Sequence, residues 1–231
     1  MVATALLMSG AAALGRGSWI YVKARIAQVL LRSAWQRTLA GAKNVRPWPW
    51  ADTSPVARIS FGRSQEEMIV LAGANGRTLT WAPGHLDGTA MPGESGNCVI
   101  SAHRDTHFSV LRDLVAGDRV RIERADGRAF LYSVEGSQVV TERETWVAGP
   151  RGTATLTLVT CYPFDAIVAG GPQRYVVTAR LVGGAVRRMP LTPALRATPL
   201  PALRGEGTAT PLPSRAAESR TAPRREIRPT S

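Results

Sequence analysis

A chain of 231 residues has room for one domain with flanking segments, and 44% hydrophobic residues exclude wholesale disorder. Two Cys exclude a disulfide-dense scaffold and a Cys-rich zinc module, and three His leave little room for a His-based metal site, so no metal or other cofactor is expected. The net charge of +12 divides unevenly: residues 1–50 carry +7 with no acid, residues 51–186 carry −1, and residues 187–231 carry +6. A nucleic-acid-binding domain needs its basic stripe on the folded part, so nucleic acid is not an expected partner.

Residues 1–15 are uncharged, and apolar character resumes after Arg16 through Val22. Twenty-two residues reach across a bilayer core of about 30 Å, so 1–22 is expected to be a membrane anchor or signal-anchor. From Trp19 to Leu39, Val22, Ile26, Val29, Leu30 and Leu39 recur at helical spacing with Trp35 between them. Lys23, Arg25, Arg32 and Arg37 fill other positions. The pattern predicts a basic amphipathic helix at a lipid surface, the alternative being an ordinary helix packed on the domain. Trp19, Trp35, Trp48 and Trp50 fit the same setting, since Trp favours the membrane–water interface. Pro47 and Pro49 end helical pattern, so 23–54 is a helix plus a stiff linker.

After residue 55 the period shortens to alternation and short apolar runs. Predicted strands are Val56–Phe61, Met68–Ala72, Thr78–Trp81, Asn97–Ala102, Arg119–Glu123, Arg128–Val134, Ser137–Thr141, Thr155–Thr160 and Arg174–Val182. Turn residues at Asn75-Gly76, Pro92-Gly93, Gly117-Asp118 and Asp126-Gly127 separate them. One short helix, His107–Leu114, is predicted. Many short strands with little helix imply an all-β barrel or sandwich.

The strand from Thr155 ends at Cys161, and Pro163 stops its ladder. If it pairs with the strand opened by Arg174, thiol and guanidinium face each other at one rim. A thiol beside a permanent cation is a setting for thiolate or oxyanion chemistry. His103 follows the end of another strand and sits at a rim as well. Of the other histidines, His85 in a turn and His107 at a helix start read as structural; Asp105 either bonds His103 or caps the helix. Cys98 lies five residues before His103 in extended chain, roughly 16 Å from the rim, which is too far for a disulfide with Cys161. A buried, inert thiol is expected there.

Ala102-His103-Arg104, Thr157-Leu-Val-Thr160-Cys161 and Gln173-Arg174-Tyr-Val-Val stand in an order that resembles the sortase family. The stretch Pro83-Gly84-His85 to Gly96-Asn97 resembles its approach to the histidine, and Cys161-Tyr-Pro-Phe-Asp165 is similar to the subgroup found in Gram-negative bacteria. The resemblance covers about 55–183. It implies a closed eight-stranded β-barrel and a transpeptidase acting on a C-terminal sorting motif of the Leu-Pro-x-Thr-Gly kind. It further implies that Cys161 attacks a Thr carbonyl to form a thioacyl-enzyme, that His103 serves as general acid and then base, and that Arg174 stabilises the oxyanion or holds the substrate. Thr160 is expected to help orient substrate. Partners would be proteins bearing the sorting signal, an amine acceptor, and membrane lipid through the N-terminal segment. The catalytic domain would lie outside the cytoplasmic membrane.

Two other readings share these residues. One is a cysteine peptidase that hydrolyses the same intermediate; the other is a peptide-binding barrel without turnover, for which intact Cys161, His103 and Arg174 have no purpose. The loop Thr141–Thr153 is the expected seat of specificity. Residues 184–231, rich in Pro, Ala, Arg and Thr, read as a disordered tail.

Overall fold

The computed structural model describes residues 22–64, 66–166 and 170–187. The expected anchor, but for Val22, and the expected tail beyond residue 187 lie outside the described residues. A helix, α1, covers residues 22–39. Eight strands follow: β1 (Pro55–Phe61), β2 (Glu67–Ala72), β3 (Gly84–His85), β4 (Asn97–Ser101), β5 (Arg119–Arg124), β6 (Arg128–Thr141), β7 (Thr155–Tyr162) and β8 (Gln173–Arg187). They close into a barrel in the order β1-β2-β3-β4-β7-β8-β6-β5, with β5 returning to β1. Only β2–β3 and β4–β7 pair in parallel. Among the described residues each strand has a paired neighbour on both sides, with the two-residue β3 bridging β2 and β4.

Alternation decides what faces inward. In β1, Ala57, Ile59 and Phe61 are buried, and the residues between them are only partly so. Cys98, Ile100, Leu156, Leu158, Val177 and Ala179 join them in one core. Phe108 and Leu111, from the segment after β4, belong to that core, and Phe61 meets Phe108 edge-on at 6.4 Å. Each fully buried Leu, Ile or Phe is worth about 1.5–3 kcal/mol. Tight turns need glycine here: Gly93 has φ +85°, and a Cβ on it would run into the Phe130 ring.

The elements depart from expectation in particular places. Thr78–Trp81 is not a strand. Residues Gly76–Leu79 form a single helical turn, α2, because Asn75 Oδ1 accepts from the Thr78 N–H at 2.9 Å and caps it. The strand β3 was not expected, being two residues long; a Cβ on Gly84 would strike the Gly73 carbonyl. Residues 128–141 are one strand rather than two, with an irregularity between Val134 and Gly136 that absorbs the break in pattern. The helix expected at His107–Leu114 is a short 3-10 turn, Ser109–Asp113. Strand β8 runs to Arg187, past the boundary expected at 183.

The helix α1 leaves Val22, Ile26, Val29 and Leu30 outward and packs a second face on the barrel. Its buried side chains are Ala27, Leu31, Ala34 and Trp35, and Leu31 and Trp35 pack with Ile69, Leu71 and Ala82 of the barrel. Two alanines on this face allow close approach, so the larger Leu31 and Trp35 seat between helix and barrel. Gln28 Nε2 donates to the Trp81 carbonyl at 3.1 Å. Trp48 meets Trp81 edge-on at 5.4 Å. Trp35 and Trp48 thus pack on the barrel, whereas the sequence pattern had suggested a membrane interface; Trp50 is exposed. Among the described residues no helix is long and apolar enough to cross a membrane.

Candidate active site

Register brings the three expected side chains to one rim. In the antiparallel β7–β8 pair, Cys161 stands directly opposite Arg174. Directly opposed residues project from the same face, with Cβ atoms about 4.5–5.5 Å apart. In the parallel β4–β7 pair, Ser101 matches Val159, and the Ala102 N–H donates to the Val159 carbonyl at 3.2 Å. His103 lies two residues past Ser101, and Cys161 two residues past Val159, so both follow the last pair at the same end of the barrel. His103 is exposed and Cys161 half-buried.

Because Leu156, Leu158 and Thr160 face the interior, Thr157, Val159 and Cys161 face outward. Beside Cys161 on that outer face, Val159 packs with Val140, Val147 and Val176. Val147 comes from the 3-10 turn Thr145–Ala148, so the β6–β7 loop roofs an apolar floor next to the thiol. The loop is tied down. Asn97 Nδ2 donates to the carbonyls of Val147 (2.9 Å) and Gly149 (3.1 Å), and its Oδ1 accepts from Thr157 Oγ1 at 2.7 Å. Glu144 accepts from the N–H and hydroxyl of Thr141 and from Trp146 Nε1. The hydrogen bond from the Thr141 N–H, followed by the other two, pulls the Glu144 carboxyl below its ordinary range.

A second set of bonds frames His103 and Cys161 from their chain neighbours. Thr160 Oγ1 donates to the Ala102 carbonyl at 2.8 Å. Arg104, its side chain only 2% exposed, donates through Nη1 to the Pro163 carbonyl and through Nη2 to the Ala166 carbonyl, each at 2.8 Å. The residues before and after the histidine are therefore bonded to the chain before and after the cysteine. Thr160 was expected at the substrate. Its side chain is buried instead, with the hydroxyl committed to Ala102. Asp105 neither caps a helix nor bonds His103; it pairs with Arg104 Nε at 3.2 Å. Aromatic contacts stiffen the same rim. Tyr162 stacks on Tyr175 at 6.1 Å, and Phe164 meets Tyr175 edge-on at 5.1 Å.

The Arg174 guanidinium is drawn along the loops. It donates to the carbonyls of Gly171 (2.6 Å) and Gln173 (2.9 Å) and pairs with Glu142 at 3.0 Å. His107 sits near His103. Burial, and then the neighbouring His103, lowers its pKa, while a hydrogen bond with the Trp81 carbonyl opposes this. His85 is buried, with Nε2 at 3.0 Å from the Ala90 carbonyl. Cys98 is a buried free thiol in the barrel interior, opposite Leu156 and five residues down β7 from Cys161. Among the described residues no three His, Cys, Asp or Glu side chains gather as metal ligands.

Sequence reasoning missed Arg104, Asn97, Thr157 and Glu142. Alternation along β7 places Thr157 on the same face as Cys161, which was a usable signal for that one. The partners of the other three depend on loop paths.

The closed eight-stranded barrel matches the fold of the sortases. Residues 59–182 match the sortase domain, more than half of the chain, and the protein belongs to the sortase family. It is 31% identical over 117 residues to Sortase D of Bacillus subtilis (strain 168). That match covers 50% of this chain and 58% of the relative, so the chain spans little more than half of the relative's length. Among solved structures it is similar to a Clostridium perfringens Sortase D5 transpeptidase, at 28% identity and TM-score 0.51 over 66% of this chain and 89% of that one. It is also similar to sortase C-1 from Actinomyces oris, at 27% identity and TM-score 0.52 over 68% and 85%.

Proposed function

We propose that this protein is a cysteine transpeptidase that cuts a C-terminal sorting motif of the Leu-Pro-x-Thr-Gly kind and passes the protein to an amine acceptor. The observation that carries the reading is the pairing of Cys161 with Arg174 across β7 and β8, with His103 two residues past the last β4–β7 pair, Ser101 and Val159.

Each step follows from the groups present. The Cys161 sulfur attacks the carbonyl carbon of the scissile amide, and a carbon–sulfur bond forms. The amide nitrogen leaves only when protonated, and His103 supplies that proton. The carbon–nitrogen bond breaks and a thioacyl-enzyme remains. An incoming amine gives its proton to His103 and attacks the thioacyl carbon; the sulfur departs as thiolate. Arg174 exchanges Glu142 and loop carbonyls for the oxyanion of each tetrahedral intermediate, to which its guanidinium can donate two hydrogen bonds. Thr160 acts by holding Ala102, one residue from His103, without touching substrate. The closed cluster of Val140, Val147, Val159 and Val176 seats the β6–β7 loop beside the thiol, so that loop borders the path of an extended substrate.

The test mixes the full chain, and Cys161→Ala, with peptides of the sorting-motif class, with and without an added amine, and reads products by mass spectrometry. A Cys161-dependent adduct that becomes an amide when amine is present is the expected result. Acid alone, whatever amine is added, would make the protein a peptidase; no adduct from any peptide would remove the catalytic reading.

Substrates of this class are exported proteins. The barrel is accordingly placed outside the cytoplasmic membrane, with residues 1–22 as its anchor. Protease added to spheroplasts should digest the barrel; full protection would reverse that topology.

A further inference from the structure

We propose that the outward face of α1 is a lipid-contact surface that lays the protein against an anionic bilayer. The helix carries two apolar faces. One, built on Leu31 and Trp35, is closed against the barrel. Each residue turns the helix by about 100°, so Val22, Ile26, Val29 and Leu30 form a stripe on the opposite side. These four are 46%, 52%, 64% and 36% exposed. A single exposed aliphatic residue is ordinary, but four in one stripe turned away from the core mark a contact surface.

Charge selects the occupant. The same turn angle places Lys23 at one border of the stripe and Arg25 and Arg32 at the other. No acid occurs in the chain before Asp52. A second copy of this helix would set cations against cations. A protein partner would need negative charge along both edges of an apolar ridge about 12 Å long, in register. An anionic lipid surface offers acyl chains to the ridge and headgroup phosphates to both borders at any register. This contact is distinct from anchoring by residues 1–22, with which it shares only Val22.

The experiment separates the two. In full chain carrying Cys161→Ala, a cysteine is introduced at Val29 on the stripe or, as control, at Val115 on the barrel, which is 51% exposed. Cys98, buried with its thiol pushed up to about 12, stays unlabelled. The new thiol carries an environment-sensitive fluorophore. Vesicles are phosphatidylcholine alone or phosphatidylcholine with about one-third phosphatidylglycerol. Unchanged thermal unfolding confirms each variant is folded. With anionic vesicles the probe at position 29 should brighten several-fold, shift blue and be quenched by spin-labelled lipid, while position 115 stays water-like. Removing Arg25 and Arg32 as Gln should weaken this response by about 10-fold or more, since each cation near such a surface is worth about fivefold. Three results overturn the proposal: a water-like probe at position 29 on protein that pellets with the vesicles, an equal response on both vesicle types, or a blue shift that grows with protein concentration without vesicles.

Discussion

Cys98 and Cys161 lie on neighbouring strands in surroundings that could hardly differ more. Cys98 points into the barrel among Ile100, Leu156 and Leu158. Burial, with Glu94 adding to it, pushes its thiol up to about 12. Cys161 lies five residues further along the paired strands, on the outer face, opposite a guanidinium and at the same end of the barrel as an exposed histidine. The two thiols are chemically the same group. What separates them is the two-residue alternation that turns one inward and the strand end that brings the other to the rim.

The strongest way to break this comparison is to remove each sulfur in turn. Cys161→Ala should abolish thioacyl formation, while Cys98→Ala should keep most activity and lose about 1 kcal/mol of stability. Peptide turnover and chemical denaturation of both variants check this. Iodoacetamide near pH 8 should modify Cys161 alone. Next in size is Arg174. Replacing its fork by a single ammonium, Arg174→Lys, should cost about 10²–10³ in kcat.

Arg104 sharpens the comparison at its framing. Arg104→Lys keeps the charge but reaches one carbonyl where the guanidinium reaches two. Expected losses are about 1.5–3 kcal/mol in stability and about tenfold in kcat, with KM little changed. A rise in KM with constant kcat would show that the bonds shape substrate binding rather than the His103–Cys161 spacing.

How much of this was legible beforehand varies along the chain. Strands β1, β4, β5 and β7 were readable because alternation and β-branched residues agreed there. Thr78–Trp81 misled because local capping by Asn75 outweighs strand propensity. The helix α1 was legible as a helix, but its buried face was not. With aliphatic residues on two sides, the choice rested on Ala27 and Ala34 fitting the barrel, a matter of tertiary shape. The residues of the rim were readable from strand ends. Arg104 and Asn97 were not, since their partners lie roughly fifty to sixty residues away.

The interior thiol also writes itself into the pH dependence. Its folded pKa is raised from an ordinary 9.0 to about 12, and that of Tyr132 from 10.0 to about 12, both chiefly by burial. Below about pH 9 folded and unfolded states both hold the protons, and the stability is fully present. Above it the unfolded chain releases protons that the fold retains, so stability falls as pH rises toward 12. Between pH 9 and 10 the share due to Cys98 is on the order of 1 kcal/mol per pH unit. Thermal unfolding of wild type should drop more steeply over that interval than Cys98→Ala. Equal slopes would show that Cys98 ionises in the fold.

The smallest expected effect tests the other side of the comparison, the resting contacts of the rim. The Glu142–Arg174 pair is partly exposed, and pairs of that kind are worth about 0–1 kcal/mol. Glu142→Gln should therefore leave stability within about 1 kcal/mol of wild type. Its effect on catalysis has a definite sign. Arg174 must leave Glu142 to meet an oxyanion, so whatever the pair contributes at rest adds to the barrier. Removing the carboxylate should raise kcat/KM about two- to fivefold, the rate equivalent of an ion pair of this strength. Added salt separates this from a packing change: screening weakens the pair in wild type, so salt should raise wild-type turnover toward that of the variant. If Glu142→Gln is instead slower and equally salt-insensitive, the carboxylate aims Arg174 at the thiol rather than holding it away.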